Sequence, residues 1–533
     1  MALINIYLSP FDFDYDVQAL VRSFYPREQI AFVKMKENAG EAEEKEENQK
    51  KITVLEAMDV QTTMDAHASM DIYVSMDIRV QMEDSLIRAE LFKQGERVGE
   101  IQQKTSGKAW DKESSYRPVY KNLLKKALFK LLAEYGPEVE SFPKQIPAWG
   151  TMTGVRPTKI PLQMLESGMD EAQIITHLTE DYCCSREKAG FSFHIARKEK
   201  ELLAKVDYQD GYSLYIGIPF CPTTCLYCSF TSYPIELNHH LVEDYLEALK
   251  REIRFFGEKM KGKKLTSIYF GGGTPTSLSW QQLDELLSVV KESFNINEAL
   301  EYTVEAGRPD SITMDKLKVL KNHGVSRISV NPQTMKEETL ACIGRKHTVK
   351  QTIEAFHMAR EAGFDNINMD LIMGLPDETL EDFQETMKQI KALDPDSITL
   401  HSLVVKRASQ LRSRRDGGEF RGQADVNGML QWGCDYIAAQ GYEPYYMYRQ
   451  KNKAGHAGAA TQDNAGFARK GKECLYNILI MEEKQTILAL GAGASTKLYH
   501  RDKDRVERIE TVKSVQDFIK RTDEMIGRIC DKL

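Results

Sequence analysis

Ser213-Leu-Tyr-Ile-Gly-Ile218, followed by Pro219 and Phe220 and then by Cys221-Pro-Thr-Thr-Cys225-Leu-Tyr-Cys228, is the stretch on which the reading of the whole chain turns. The first six residues have the apolar character of a buried strand, and the three cysteines come immediately after it. With nine cysteines in 533 residues, this triple spacing arises by chance about once in 400 such chains, by multiplication of frequencies. Three thiolates in so short a loop can hold one corner of a cubane iron–sulfur cluster and leave one iron without a protein ligand. A structural zinc site closes a tetrahedron and wants a fourth Cys or His at comparable spacing. Ser229 and Phe230 follow instead, and the closest histidines are His239 and His240. The spacing favours the three-ligand cluster. Cys183, Cys184, Cys342, Cys434, Cys474 and Cys530 show no ligand spacing and read as packing residues.

Outward from the cysteine loop the rhythm is strand, then helix. β-rich runs at Ser213–Ile218, Leu265–Phe270, Tyr302–Ala306, Arg327–Val330, Ile367–Leu371 and Ser397–Leu403 alternate with amphipathic stretches at Leu241–Lys259, Ser279–Phe294, Met314–His323, Val349–Ala362 and Leu380–Leu393, and Asn427–Gln440 follows the last strand. This is the pattern of a parallel sheet wound by right-handed crossovers. Six units suit a partial barrel or an open doubly wound sheet, where eight would close a full barrel. After about residue 411 the regularity gives way to a mixed portion.

The first hundred residues predict a small α+β unit, with strands at Leu3–Leu8, Ile72–Val80 and Ser85–Phe92 and a helix at Asp16–Tyr25. Between them Glu37–Lys51 carries six glutamates and three lysines and reads as a solvated loop. Helical stretches follow at Tyr116–Tyr135 and Thr158–Val206. The segment from Trp149-Gly150 to Gly154-Val-Arg-Pro157 reads as a break between two units. Hydrophobic residues make up 42% and charged residues 28% of the chain, ordinary globular usage that excludes global disorder. A net charge of −8 argues against a general phosphate-backbone binder, so no nucleic-acid partner is expected. No apolar run reaches membrane-spanning length. Met1–Pro26 lacks a basic leader and carries aspartates, unlike a signal peptide. The expectation is a soluble cytoplasmic protein with reduced thiols.

In an α/β barrel the functional groups belong at the carboxyl ends of the strands. There the chain places the cysteine loop, Gly271-Gly-Gly-Thr-Pro275 after the second strand, Glu305 at the end of the third, Gln333 just past the fourth and Asp370 within the fifth. A glycine triplet is usually only a turn, and a strand-end carboxylate usually only caps something. Together they suit a small zwitterion joined to a ribose and an adenine.

These residues resemble the radical S-adenosylmethionine (SAM) superfamily, in its coproporphyrinogen-oxidase-like branch. CxxxCxYC followed by GGGTP carries the likeness, with Arg327-Ile-Ser-Val-Asn-Pro-Gln333, Ile343-Gly-Arg-Lys-His347, Asp370-Leu-Ile-Met-Gly-Leu-Pro376 and Leu490-Gly-Ala-Gly-Ala494 in order over roughly residues 210–500. The long N-terminal extension and Trp149–Lys159 look like the HemZ-type members. The resemblance implies a partial (β/α)6 radical SAM barrel over 209–410. It further implies an N-terminal α+β domain over 1–110, a helical connection over 111–208, and a substrate-covering C-terminal domain over 411–533. It implies that Cys221, Cys225 and Cys228 hold a [4Fe–4S] cluster whose fourth iron takes the amine and carboxylate of SAM. Gly272 and Gly273 would then approach the methionine amine, with Thr274 also in the cofactor site, Glu305 near the methionine or ribose, and Gln333 and Asp370 at the ribose hydroxyls. Arg345 would pair with the SAM carboxylate, for which a guanidinium fork is suited. Tyr215 would pack beside the cluster, and Tyr227 and Phe230 would flank the adenine.

The activity implied is oxidative decarboxylation of coproporphyrinogen III to protoporphyrinogen IX by a SAM-derived radical, fed by a one-electron reductant such as flavodoxin or ferredoxin. Cations suited to a tetrapyrrole's carboxylates are Lys406, Arg407, Arg412, Arg414, Arg415, Arg449 and Lys451; Arg412–Arg415 read also as a solvated loop, and Arg449 and Lys451 lie beside the aromatic run Tyr442–Tyr448, which reads as an edge strand or a pocket wall. Two positions depart from that branch's oxidases. Phe230 stands where they carry a fourth cysteine, and Gly217 where they carry a histidine. Both departures resemble haem-trafficking relatives. The alternatives are a haem-binding or haem-delivery protein, and a radical SAM enzyme acting on haem or another tetrapyrrole.

Overall fold

The computed structural model describes residues 3–26, 28–34, 74–136, 146–207, 210–404, 411, 425–450 and 462–533. In strand β1 (Leu3–Ser9) alternate side chains Ile4, Ile6 and Leu8 are buried, the period of a half-covered strand. Strands β2 (Gln29–Lys34) and β3 (Val74–Met82) flank it in parallel, and β4 (Leu86–Lys93) and β5 (Glu96–Lys104) continue antiparallel, giving the order β2-β1-β3-β4-β5. The helices Asp14–Phe24 and Arg117–Tyr135 bring Val17, Leu20, Phe24, Leu124 and Leu128 into the same core. This is the expected α+β unit, with β2 and β5 added. The run Glu37–Lys51 lies outside the described residues, as do Ile72 and Tyr73.

Contacts divide the chain into two units, Met1–Thr153 with Asp181–Cys183, and Gly154–Glu180 with Cys184–Leu533. The division at Thr153/Gly154 falls inside the glycine-bearing segment read as a break. The expected helical stretch Thr158–Val206 forms three helices, Lys159–Glu166, Glu171–Glu180 and Arg186–Leu203. Gly168, at φ 90°, turns the chain after the first, a conformation that costs glycine little. Ser185 caps the third by accepting from the Lys188 N–H.

In the second unit six strands run parallel: β6 (Gly211–Ile218), then, past the two-residue pair β7 (Phe220–Cys221) and β8 (Tyr233–Pro234), β9 (Lys264–Gly272), β10 (Glu301–Glu305), β11 (Arg327–Ser329), β12 (Ile367–Met373) and β13 (Ser397–Ser402). Their near-continuous burial is that of strands covered on both faces, and the helices between them lie where the amphipathic stretches predict. Ser279, Thr348 and Thr379 open three of these helices with reciprocal capping boxes through Gln282, Gln351 and Asp382, so the chain leaves each strand already committed to a helix. The result is a partial (β/α)6 barrel.

The C-terminal portion lengthens this sheet at both edges. Strands β14 (Glu443–Gln450) and β15 (Gln462–Ala468) run antiparallel beyond β13, while β16 (Thr486–Leu490) lies parallel to β6 and is followed by β17 (Ser495–His500) and β18 (Arg505–Glu510). The run Tyr442–Tyr448 is thereby an edge strand, with Tyr445 and Tyr446 buried. Among the described residues no helix is long and apolar enough to cross a membrane.

Candidate active site

The carboxyl ends of the parallel strands carry the groups singled out in the sequence. Where β6 ends, Pro219 and Phe220 lead into the cysteine loop, and the Tyr233 N–H closes the loop by donating to the Pro219 carbonyl at 2.8 Å. Inside it the Cys228 N–H donates to the Cys225 carbonyl, and the Leu226 N–H reaches the Ile343 carbonyl, each at 3.0 Å. Thr223 Oγ1 donates to the Gly344 carbonyl at 3.3 Å. The loop is therefore fixed against the segment that carries Arg345.

The glycines after β9 lie across the same loop. Gly273 N–H donates to the Ile218 carbonyl and Thr274 N–H to the Phe220 carbonyl, both at 2.7 Å, while the Thr274 hydroxyl faces Cys221 Sγ at 3.5 Å. A Cβ on Gly273 would meet the Phe220 carbonyl oxygen at 2.6 Å and Cys221 Sγ at 3.0 Å. Gly272 has φ 106°, open to glycine and costly for other residues. The sequence signal for this close approach was the triplet itself.

The thiols differ in their surroundings. Burial pushes Cys221 up to about 11 and also raises Cys228. Burial works the same way on Cys225, but the charges of Arg345 and Arg308 and hydrogen bonds from Tyr227 and Arg345 overcome it, so this thiol lies below its ordinary value. A thiolate is the metal-binding form, and this loop favours it most at Cys225. Among the described residues no three side chains converge as a single metal ion requires. Three thiols that each bind a different iron of a cubane need no such convergence, so the donor set fits a cluster.

Past the thiols lies a polar arc. Glu305, last in β10, accepts from the Tyr269 hydroxyl at 2.5 Å, and burial pushes its carboxyl up to about 7. Tyr269 stacks on Tyr476 at 4.4 Å and on Tyr215 at 6.2 Å. Asp370 accepts from Asn368 at 2.7 Å and faces His401 Nε2 at 3.8 Å. Burial would raise Asp370, but the hydrogen bond and charge of His401, with Asn368 and Thr399, hold it below its ordinary value. Gln333 has φ 71°, is tied to β12 by its backbone, and keeps Oε1 buried with no hydrogen-bond partner. A strained, non-glycine backbone and an unpartnered buried amide oxygen are features that call for a reason beyond packing. Arg345, buried, donates from Nη1 to the Asn331 carbonyl at 2.5 Å and leaves Nε without a partner.

Of the expected adenine neighbours, Tyr227 packs against Ile343, Ile372 and Leu375, whereas Phe230 is 73% exposed. Arg449, expected as a substrate cation, is buried with Nε 3.6 Å from Asp463. Lys406, Arg407, Arg412, Arg414, Arg415 and Lys451 lie outside the described residues. The structure adds Arg308, His347 and His401, which the sequence reading missed. Arg308 comes three residues after Glu305 at a strand end, a position that could have drawn notice. His347 closes the Ile343–His347 stretch that carries part of the resemblance but was given no role there, and nothing local marks His401.

The radical SAM superfamily profile matches residues 215–390. The oxygen-independent coproporphyrinogen-III oxidase-like protein HemZ of Bacillus subtilis (strain 168) is 41% identical over 388 residues, 71% of this chain and 76% of that protein. Heme chaperone HemW of the same organism is 33% identical over 283 residues, 53% of this chain and 70% of that protein. Among solved structures, coproporphyrinogen III oxidase HemN from Escherichia coli aligns over 61% of this chain and 72% of that one, at 23% identity and a TM-score of 0.47. The extent and identity of the HemZ match, over a loop, cradle and arc of the kind just described, make this chain a member of the radical SAM superfamily in its coproporphyrinogen-oxidase-like branch, a family that works with a [4Fe–4S] cluster and SAM.

Proposed function

We propose that this chain is an oxygen-independent coproporphyrinogen III dehydrogenase. The observation that carries the reading is the convergence of three thiols, a glycine cradle, an orphaned amide oxygen and two carboxylates at one end of a parallel sheet. Cys221, Cys225 and Cys228 hold the cluster. Gly272, Gly273 and Thr274 border the methionine amine of SAM, Arg345 takes its carboxylate, Gln333 and Asp370 take the ribose hydroxyls, and Glu305 lies between. Tyr215 flanks the cluster side, and Tyr227 and Phe230 the adenine. When bound, the cluster and SAM would supply one-electron cleavage of the sulfonium, giving a carbon radical that takes hydrogen from a propionate β-carbon, after which CO₂ leaves and one electron passes to an external one-electron acceptor, leaving a vinyl group.

The chain's own part is orientation and exclusion of water. Asp370 stays ionised and can accept from two hydroxyls. The Tyr269 hydroxyl fixes the Glu305 carboxyl, which burial pushes up to about 7. Residues 411–533 are assigned to covering the tetrapyrrole, and the electron to a flavodoxin or ferredoxin.

Phe230 and Gly217 favour a second reading, a haem-binding protein, and the likeness to HemW supports it. Anaerobic turnovers with SAM, dithionite and either coproporphyrinogen III or haem, followed by mass spectrometry, separate the two. Divinyl product with CO₂ is expected. Methionine and 5′-deoxyadenosine without decarboxylated product, with a Soret complex that survives a desalting column, would replace the first reading by the second. Haem bleaching that depends on SAM would instead mark an enzyme acting on haem.

A further inference from the structure

Arg308 is almost fully buried, at 3% exposure, just past the end of β10. Its guanidinium is held on two sides. Nε and Nη2 fork onto the two oxygens of Asp310, at 3.0 and 2.7 Å. Nη1 donates to Thr223 Oγ1 at 3.0 Å and to the Thr223 carbonyl at 3.2 Å, and lies 3.7 Å from Cys225 Sγ. A buried guanidinium keeps its charge, so a permanent cation addresses Cys225. Cys221 meets a neutral hydroxyl, that of Thr274, at 3.5 Å. His347 is buried nearby with both ring nitrogens lacking hydrogen-bond partners, and burial with the charge of Arg345 pushes it down to about 3. It is neutral at working pH, so the cations acting on Cys225 are Arg308 and Arg345.

We propose that Arg308 is a positioning residue that sets the reduction potential of the iron–sulfur cluster: its N–H and charge act on the Cys225 thiolate, and Asp310 fixes its aim and moderates its charge. The proposal rests on the reading that Cys225 is a cluster ligand. Reduction adds one electron to the cluster with no bond made or broken. Hydrogen bonds to the ligating sulfurs and nearby positive charge favour the more negative state. Removing Arg308 must make the cluster harder to reduce, and neutralising Asp310, which leaves the cation in place with less counter-charge, must make it easier.

The test is a dithionite-poised redox titration of the reconstituted full-length protein, followed by the electron paramagnetic resonance of the reduced cluster. Arg308→Met is expected to lower the reduced-to-oxidised ratio at a given potential about tenfold, which for a one-electron couple is about 59 mV toward more negative values. Asp310→Asn is expected to shift the midpoint in the opposite direction, and Arg308→Lys to fall between wild type and Arg308→Met. A purely structural role would change iron content and leave the midpoint in place. An unchanged midpoint in Arg308→Met with full iron and sulfide would overturn the proposal, and if that variant fails to hold iron, an unchanged midpoint in Asp310→Asn would do the same. A Cys225→Ala chain that keeps a complete cluster would overturn the ligand reading itself, and the proposal with it.

Discussion

Gly273→Ala perturbs the joint between the glycine cradle and the cysteine loop by one methyl group. That methyl would lie 2.6 Å from the Phe220 carbonyl oxygen, 2.9 Å from the Ile218 carbonyl oxygen and 3.0 Å from Cys221 Sγ. Neither oxygen can retreat freely, because each accepts a 2.7 Å backbone hydrogen bond from this segment, from Thr274 and Gly273 respectively. Overpacking of this kind costs about 1–3 kcal/mol, and a broken hydrogen bond adds about 1 kcal/mol. At roughly 2–4 °C per kcal/mol for a domain of some 200 residues, and less for a larger one, the melting temperature falls by several degrees. Iron content after reconstitution falls with it, since the displaced atoms include a cysteine sulfur. Gly190→Ala is the control. It sits in the helix Arg186–Leu203 with nothing within 4 Å of the added carbon, so helix propensity alone acts and stabilises by up to about 1 kcal/mol. Differential scanning fluorimetry and iron assay of both variants decide the matter. A Gly273→Ala protein that melts with wild type and loads iron fully would refute the packing argument.

Cys225→Ala is expected to lose the brown chromophore on reconstitution and all reductive cleavage of SAM, read by absorbance and by 5′-deoxyadenosine release. Asp370→Asn removes the ionised acceptor proposed for the ribose, and hydrogen bonds to charged groups are worth about 1.5–3 kcal/mol. Calorimetry should therefore find the SAM Kd raised about 10- to 150-fold, and an unchanged Kd would remove Asp370 from the site. Glu252 is fully buried, accepts from the Gly491 N–H at 2.9 Å, and is pushed up by burial to about 8. A carboxyl whose folded pKa lies above its unfolded value binds more protons folded than unfolded, so its contribution to stability falls as pH rises from about 4.5 to about 8. Glu252→Gln should gain stability relative to wild type across that range and level off above it. Melting curves whose difference stays flat from pH 5 to pH 8 would contradict this.

The barrel was legible because buried parallel strands are nearly continuous apolar runs and the connecting helices announce themselves with caps such as Thr379-Leu-Glu-Asp382. Strand β5 was not, because Glu96–Lys104 is a sheet edge whose side chains are largely exposed and carry no alternation. Strand β16 was missed because five residues beside a glycine-rich turn offer no period to read, and only its register with Tyr212–Ile216 makes it part of the sheet. In the site, the residues expected from short linear motifs lie at the strand ends, whereas Arg308 and His401 take their place from tertiary partners. Gln333 could be singled out from Asn-Pro-Gln, but its left-handed backbone and orphaned Oε1 are consequences of docking on β12. Arg308 offers in sequence only its place after Glu305, and its contacts with Thr223, Cys225 and Asp310 appear only in the fold. The expectation for Arg449 illustrates the converse: a cation in an aromatic run invites an anionic ligand, yet Asp463 already pairs with it.

The most direct test of the account is electron paramagnetic resonance of the anaerobically reconstituted, reduced protein with and without SAM. A cluster held by three cysteines has one iron open to an outside ligand, so its signal must change shape and g-values when SAM is added. A chain that binds no iron and sulfide, or a cluster whose spectrum is indifferent to SAM, would contradict it.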